Sequence, residues 1–311
     1  MGGTGSGGPS QYRVQPDEAV RRRREAEEAS KDAQTDAEVN AILNRKVLEV
    51  NRRDNEQVSN RLDEIQSSLS DQIEGVDRLL FGGSVSKHTY VEGLSDIDSL
   101  LVLDSGEYGG LKPDQVLEKL EKALRSRLDK GKAIDIESGA LAVTVKYKDG
   151  LEVQLLPALE RDKELSIKAA TGNRWTAIDP KRFVERLTEV NKAQAGTVIP
   201  AIKLAKSILA STADAQRPTG YHLEALAVAA FQDYTGVRSP KAMLAQLFDS
   251  ASQNVRKPIA DLTGQSRHVD EYLGEANSNE RRAVSRGLAG IARQMKNAPN
   301  AEAWRALLGE D

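Results

Sequence analysis

The sequence contains no cysteine, which excludes disulfides and thiolate-held zinc. Its three histidines, His88, His222 and His268, are too scattered to suggest a histidine-built metal site. No apolar run approaches the ~20 residues that span a bilayer. The opening stretch, MGGTGSGGPSQYR, has no apolar core and so does not read as a secretory signal. A soluble, cytoplasmic protein with no membrane partner is the expectation. A large excess of one charge is also missing, since 44 Lys and Arg against 47 Asp and Glu leave a formal net charge of −3. That balance excludes a polybasic nucleic-acid binder by bulk charge. Carboxylates remain as the well-supplied metal ligands, and they suit magnesium or manganese.

A length of 311 residues suits one large or two modest domains. Residues 1–15 read as a disordered leader, because Gly and Ser bury too little surface to offset ordering entropy. Residues 16–34 are almost all charge and alanine, which predicts an exposed or partner-dependent helical extension. From Val39 the pattern changes. Val39, Leu43, Val47, Val50, Val58, Leu62, Ile65, Leu69, Ile73, Val76 and Leu80 recur at steps of three and four. This predicts one long amphipathic helix, or two broken near Arg53-Asp54, stopping at Phe81-Gly82-Gly83. A spine packed across a domain is the preferred reading, with a dimerising coiled coil as the alternative.

Residues 96–103, 134–136, 140–147 and 151–156 read as strands, with a helix over 111–128 and a Lys148-Asp149-Gly150 turn. Beyond Pro180 the chain reads mostly helical, near 181–193, 197–212, 220–234, 240–250, 280–297 and 301–308. The expected fold class is α+β and bilobal. A sheet domain with its spine helix covers 35–185, a helical domain covers 186–311, and a cleft between them is the natural ligand site.

The informative stretch runs from Gly82-Gly83-Ser84 to Ser95-Asp96-Ile97-Asp98. A glycine-serine turn can offer backbone N–H groups and a hydroxyl to phosphate oxygens. Asp96 and Asp98, at i and i+2 on a strand, leave the same face and can share two cations. Either element alone is common. Glycine-serine after a helix, then a spacer, then Asp-x-Asp leading into an apolar strand resembles the signature of DNA polymerase beta-type nucleotidyltransferases. That resemblance implies two Mg²⁺ or Mn²⁺ ions and a third carboxylate from a neighbouring strand.

The strand around Leu151–Ala158 supplies the third position. It is similar to the corresponding strand of cyclic GMP-AMP synthase and the oligoadenylate synthetases, where the acid stands at the place of Gln154. In the polymerase beta pattern the acid aligns with Glu152, which leaves the same face. Glu152 is therefore taken as the third catalytic and metal-binding acid beside Asp96 and Asp98. Lys203 and Lys206, at i and i+3 on an apolar helix, resemble the lysine-bearing helix of the same enzymes, with Lys206 as the better phosphate contact. Thr219-Gly220-Tyr221-His222-Leu223-Glu224 resembles their Ser-Tyr-x-Leu-Glu segment, so Tyr221 is expected to stack a base, while Gly220 replaces the serine. Gly83, Ser84, Lys87 and Ser95 complete the nucleotide-binding set. His222 is expected to be a packed or solvent-facing histidine without a catalytic role.

Residues 254–264 and the closing Trp304–Gly309 look like the C-terminal region of the bacterial CD-NTases. Taken together, the resemblance implies a metal-dependent nucleotidyltransferase that joins nucleoside triphosphates, ATP or dATP foremost, into a short cyclic or linear oligonucleotide signal. It further implies antiphage defence and a separate effector protein that senses the product. Oligomerisation or effector docking is expected to fall to the N-terminal helices. The competing readings are an enzyme that modifies tRNA or a small molecule, and a catalytically degenerate nucleotide sensor.

Overall fold

The computed structural model describes residues 16–52, 60, 63–67, 69, 76–81, 87–89, 97–128, 133–148, 150–169 and 172–310. The first element is one continuous helix, α1 (Pro16–Arg52). Residues 19–34 are exposed at every position, as their lack of an apolar stripe requires. Where the stripe begins, Val39, Ile42 and Leu43 are buried. They pack into the helical lobe. Ile65 and Leu69, farther along the same periodic pattern, belong instead to the core of the sheet lobe.

The periodic stretch does not remain helical to Leu80. Val76–Phe81 is a strand, β1, paired antiparallel with β2 (Ile97–Asp104). This corrects the helix expected through Leu80. Val76, Leu79 and Leu80 satisfy helical steps, but so short an apolar run fits a strand equally, and pairing with an apolar neighbour decides it.

The chain continues through α2 (Ser105–Tyr108), α3 (Pro113–Arg127), β3 (Ala133–Ser138), β4 (Val143–Tyr147) and β5 (Glu152–Arg161). Two strands that sequence reasoning did not anticipate follow, β6 (Glu164–Lys168) and β7 (Trp175–Ile178). The sheet order is β1-β2-β5-β4-β3, with β6 pairing β5 and β7. β2 and β5 run parallel, and the remaining pairs are antiparallel. The two parallel strands lie at the centre, so residues 99–103 of β2 are buried without alternation, as expected when both faces are covered.

Helix α3 covers one face. Its Val116, Leu117, Leu120 and Leu124 pack against Leu101, Leu103, Val143, Val145, Val153 and Leu155. Pro157 falls between the β4 pairing, which ends at Leu155, and the β6 pairing, which begins at Ala158, while it stays in register with Leu101 of β2.

The helical lobe comprises α4 (Pro180–Ala193), α5 (Val198–Leu209), α6 (Gly220–Phe231), α7 (Pro240–Asn254), α8 (Asn279–Asn297) and α9 (Ala301–Leu307). Its core gathers Phe183, Leu187, Ile202, Leu226, Phe231, Leu244, Phe248, Leu288 and Trp304 with the α1 residues. Gly196 ends the α4 turn at φ +80°, a conformation that costs glycine little. The Asn191 side chain accepts from Val198 N and Ile199 N at 3.1 Å each, covering the first amides of α5. Among the described residues, no helix is long and apolar enough to cross a membrane.

Candidate nucleotide-binding site

The parallel pairing of β2 and β5 sets the acidic positions. Asp98 is in register with Gln154, and Ile97 with Val153. On the other side of β5, Thr144 pairs with Gln154 and Lys146 with Glu152. Exposure along β5 alternates, with Glu152, Gln154 and Leu156 half-buried while Val153 and Leu155 are buried. Glu152 and Gln154 therefore share the face away from α3, with Gln154 as the direct neighbour of Asp98. Lys146 donates to Glu137 Oε2 at 2.8 Å. That bond and the Glu137 charge raise its pKa, and the Glu152 carboxylate adds to the effect. Gly83, Ser84, Ser95 and Asp96 lie outside the described residues, and Asp98 is placed by its backbone register alone. Among the described residues, no three His, Asp or Glu side chains gather closely enough to hold a metal ion.

Helix α5 brings its two lysines to different partners. Lys203 Nζ donates to Asn51 Oδ1 at 2.7 Å, near the end of α1. Lys206 Nζ donates to Thr89 O at 2.9 Å and to Glu224 Oε1 at 3.0 Å. Thr89 lies in the connection from β1 to β2, the same connection that carries Ser84 and Asp96. A helix lysine and the motif segment, 117 residues apart in sequence, thus meet.

Glu224, on α6, is 1% exposed. Its carboxylate pairs with Lys206 and Lys87 and accepts from the Thr89 hydroxyl. Burial pushes its pKa up, but the Lys87 and Lys206 charges overcome this and hold the group below its ordinary value. The Lys87 ammonium also lies 4.7 Å from the centroid of the Tyr221 ring and 5.2 Å from that of Phe183. Tyr221 meets Phe183 edge to face at 4.9 Å. Its hydroxyl donates to Asp261 Oδ1 at 2.8 Å.

Asp261 organises the following loop. It accepts from Thr263 N and Oγ1 at 2.8 and 2.7 Å, and from Ser266 N and Oγ at 3.1 and 2.9 Å. Burial raises its pKa, and this set of donors outweighs that to hold it low. The loop thereby fixes the Tyr221 hydroxyl. Gly220 stands where the resembled segment has serine, and a Cβ there would lie 3.7 Å from Lys206 Nζ, in ordinary contact.

His222 is a packed histidine, fully buried. Its Nδ1 meets the Tyr272 hydroxyl at 3.0 Å and its Nε2 lies 3.3 Å from Asp270 Oδ2. Burial, opposed by Asp270 and assisted by Arg281, lowers its pKa to about 4, so the imidazole is neutral. Arg281, also fully buried, donates to Asp270 Oδ2 at 2.6 Å and to the carbonyls of Val255, Lys257, Gly274 and Glu275. Sequence reasoning assigned no role to Asp270, Arg281, Glu224 or Asp261. Glu224, the glutamate of the Ser-Tyr-x-Leu-Glu-like segment, and Asp261, inside a Pro-x-x-Asp segment, carry local signals.

β2, carrying Asp98, thus lies parallel to β5, carrying Glu152 and Gln154, and the helical lobe presents the buried Lys206 to the β1–β2 connection. The chain belongs to the SMODS family, the Second Messenger Oligonucleotide or Dinucleotide Synthetase domain, whose model matches residues 35–191. It is accordingly a nucleotidyltransferase of second-messenger synthesis. Solved CD-NTases share the fold. The Bradyrhizobium diazoefficiens CD-NTase CdnG in complex with GTP is 18% identical, with a TM-score of 0.62 over 81% of this chain and 89% of that one. The E. coli MS115-1 CdnC:HORMA-deltaN complex is 16% identical, with a TM-score of 0.59 over 82% and 88%. Vibrio cholerae DncV, a cyclic AMP-GMP synthase in complex with the linear intermediate 5′ pppA(3′,5′)pG, is 10% identical, with a TM-score of 0.61 over 93% and 90%. No curated protein matches the chain at a significant level.

Proposed function

We propose that the chain joins nucleoside triphosphates through this site, with Asp96, Asp98 and Glu152 as its acidic centre and Lys206 and Tyr221 as its grip on the donor nucleotide. The observation that carries the reading is the bond from Lys206 to Thr89 O, which sets a buried ammonium against the segment bearing Ser84 and Asp96. On this reading Gly83 and Ser84 offer amides and a hydroxyl to the phosphates, Lys87 and Ser95 complete the set, and Lys203 stands one turn from Lys206. Lys206 balances charge on the triphosphate, and Tyr221 supplies a ring face for the base.

The acceptor ribose hydroxyl attacks the α-phosphorus. Its O–H bond breaks with the proton passing to the Glu152 carboxylate, an O–P bond forms, and the bond to pyrophosphate breaks with its electron pair. The donors fit a hard divalent cation, because Asp98, Gln154 and Glu152 occupy neighbouring positions of one sheet region and offer oxygen alone. Two Mg²⁺ or Mn²⁺ ions held by Asp96, Asp98 and Glu152 would acidify the acceptor hydroxyl and neutralise the departing pyrophosphate. The SMODS match supports a signalling product, and on this reading the signal serves cytoplasmic antiphage defence with a separate effector as its reader.

Mass spectrometry of products from an equimolar mix of ribo- and deoxyribonucleoside triphosphates tests this. Acceptor-free oligonucleotides are expected from the wild type. Asp96→Ala should lose about 1,000-fold or more in pyrophosphate release. Glu152→Ala with wild-type activity would sink the assignment of the third acid. One observation favours a second reading, a nucleotide sensor without turnover: the position in register with Asp98 is an uncharged amide, Gln154. That reading expects triphosphate binding with no pyrophosphate release in either metal.

A further inference from the structure

Glu224, a buried carboxylate on α6, has no assigned part in the transfer chemistry above. Glu224 gathers partners from separate parts of the chain, Lys206 on α5 and Lys87 with Thr89 on the β1–β2 connection. Lys87 and Lys206 are each 8% exposed. Two ammonium groups buried side by side repel, and removing their shared counter-charge would leave both uncompensated. Yet a carboxylate beside the phosphate lysine is an unfavourable neighbour for a polyphosphate. Glu224 therefore has two opposed effects on a triphosphate: its charge weakens binding, and its placement of the lysines and of the Thr89 backbone strengthens it.

We infer that Glu224 is a positioning residue for the nucleoside triphosphate, clasping Lys206, Lys87 and Thr89 so that the helical lobe and residues 87–89 of the β1–β2 connection keep one geometry, and that placement outweighs repulsion. The inference rests on the reading of Lys206 as the triphosphate contact. Glu224 itself touches no nucleotide. Thr89 Oγ1 and Lys206 both reach the same carboxylate oxygen, Oε1, so the connection and the helix share a single anchor point. The Lys87 ammonium joins the clasp to the rings of Tyr221 and Phe183.

The sign of one change decides the matter. Glu224→Gln keeps the side chain's size and an acceptor oxygen but makes the site more positive by one charge. Binding of ATP and of adenosine is measured at equilibrium with calcium in place of magnesium, alongside thermal denaturation. The expected result is ATP affinity weakened about tenfold with adenosine affinity changed by less than about twofold, and partial recovery in Glu224→Asp. Unchanged or tighter ATP binding would overturn the inference, as would equal losses for ATP and adenosine, which mark general loosening.

If Glu224→Gln does not fold, the charge-balanced pair Lys87→Met/Glu224→Gln is compared with Lys87→Met alone. The pair must bind ATP more weakly than the single variant, and equal binding overturns the inference. Lys206→Met separates the two readings. Wild-type ATP affinity in that variant refutes the underlying assignment of Lys206, whereas lost affinity there with normal affinity in Glu224→Gln refutes the clasp alone.

Discussion

Helix α6 carries two buried charge clusters that begin two residues apart and are built on opposite plans. His222 belongs to a closed set with Asp270 and Arg281, all fully buried and all within the helical lobe. Arg281 there spends its donors on one carboxylate and several carbonyls. Glu224 belongs to an open set, with one anion against two cations and contacts that cross from the helical lobe to the β1–β2 connection. The closed set holds loops to their own lobe. The open set leaves a surplus positive charge where an anionic ligand is expected. Equal burial therefore does not imply equal purpose, and the difference lies in charge balance and in which parts of the chain are joined.

The largest effect expected from this contrast is on stability. Arg281→Leu should destabilise the chain by about 3–5 kcal/mol, because it strands a buried Asp270 carboxylate. Denaturant unfolding measures this, and ATP affinity of the folded protein should stay near wild type. A variant that loses affinity while keeping its stability would erase the distinction between the clusters.

Acid sharpens the comparison next. His222 binds its proton at about 4 in the fold against 6.5 unfolded, so the unfolded chain holds the extra proton between those values. Its contribution is complete above pH 6.5 and is lost as pH falls towards 4, amounting to about 3 kcal/mol. Glu224 is depressed from 4.5; its contribution is complete above that value and fades only as pH falls through its lower folded pKa. A stability decline between pH 6.5 and 4.5 therefore belongs to the closed cluster, and His222→Gln should flatten it in thermal denaturation across that range. The smallest effect is expected from Tyr221→Phe. Loss of the bond to Asp261 should cost about 1 kcal/mol, and the retained ring should preserve base binding in the same ATP titration.

The legible parts of this molecule are those written locally. The motif that proposes Asp96 and Asp98 is a local one, since glycine-serine, spacer and apolar strand follow one another along the chain. The boundaries of α4, α6 and α8 follow from Asp179, Thr219 and Ser278, whose side chains accept from early helix amides. Val76–Phe81 was not legible, because its apolar spacing suits two structures and the strand exists by virtue of its partner. β6 and β7 were hidden for a related reason: Glu164–Lys168 and Trp175–Ile178 are too short to show a period, and their pairing is with each other and with β5. The Glu224 clasp is the extreme case: its lysines and its glutamate each lie in a readable stretch, but nothing in the sequence shows that positions 135 residues apart meet. Asp98 and Gln154 teach the same point in reverse: both were visible, but their adjacency required the register.

In mechanical terms α1 is a rod of about 55 Å at 1.5 Å per residue, clamped along part of its length. The grips are Val39, Ile42 and Leu43 in the helical core, the Lys241 amide on Asn40 at 2.9 Å, and Lys46 on Glu310 at 3.1 Å. Residues 19–34 stand outside the clamp as a handle of about 24 Å. Asn51, at the other end, holds Lys203, one turn from Lys206 on the same helix. The rod thus ties an exposed arm to the helical core along its middle and, at Asn51, to the lysine one turn from Lys206.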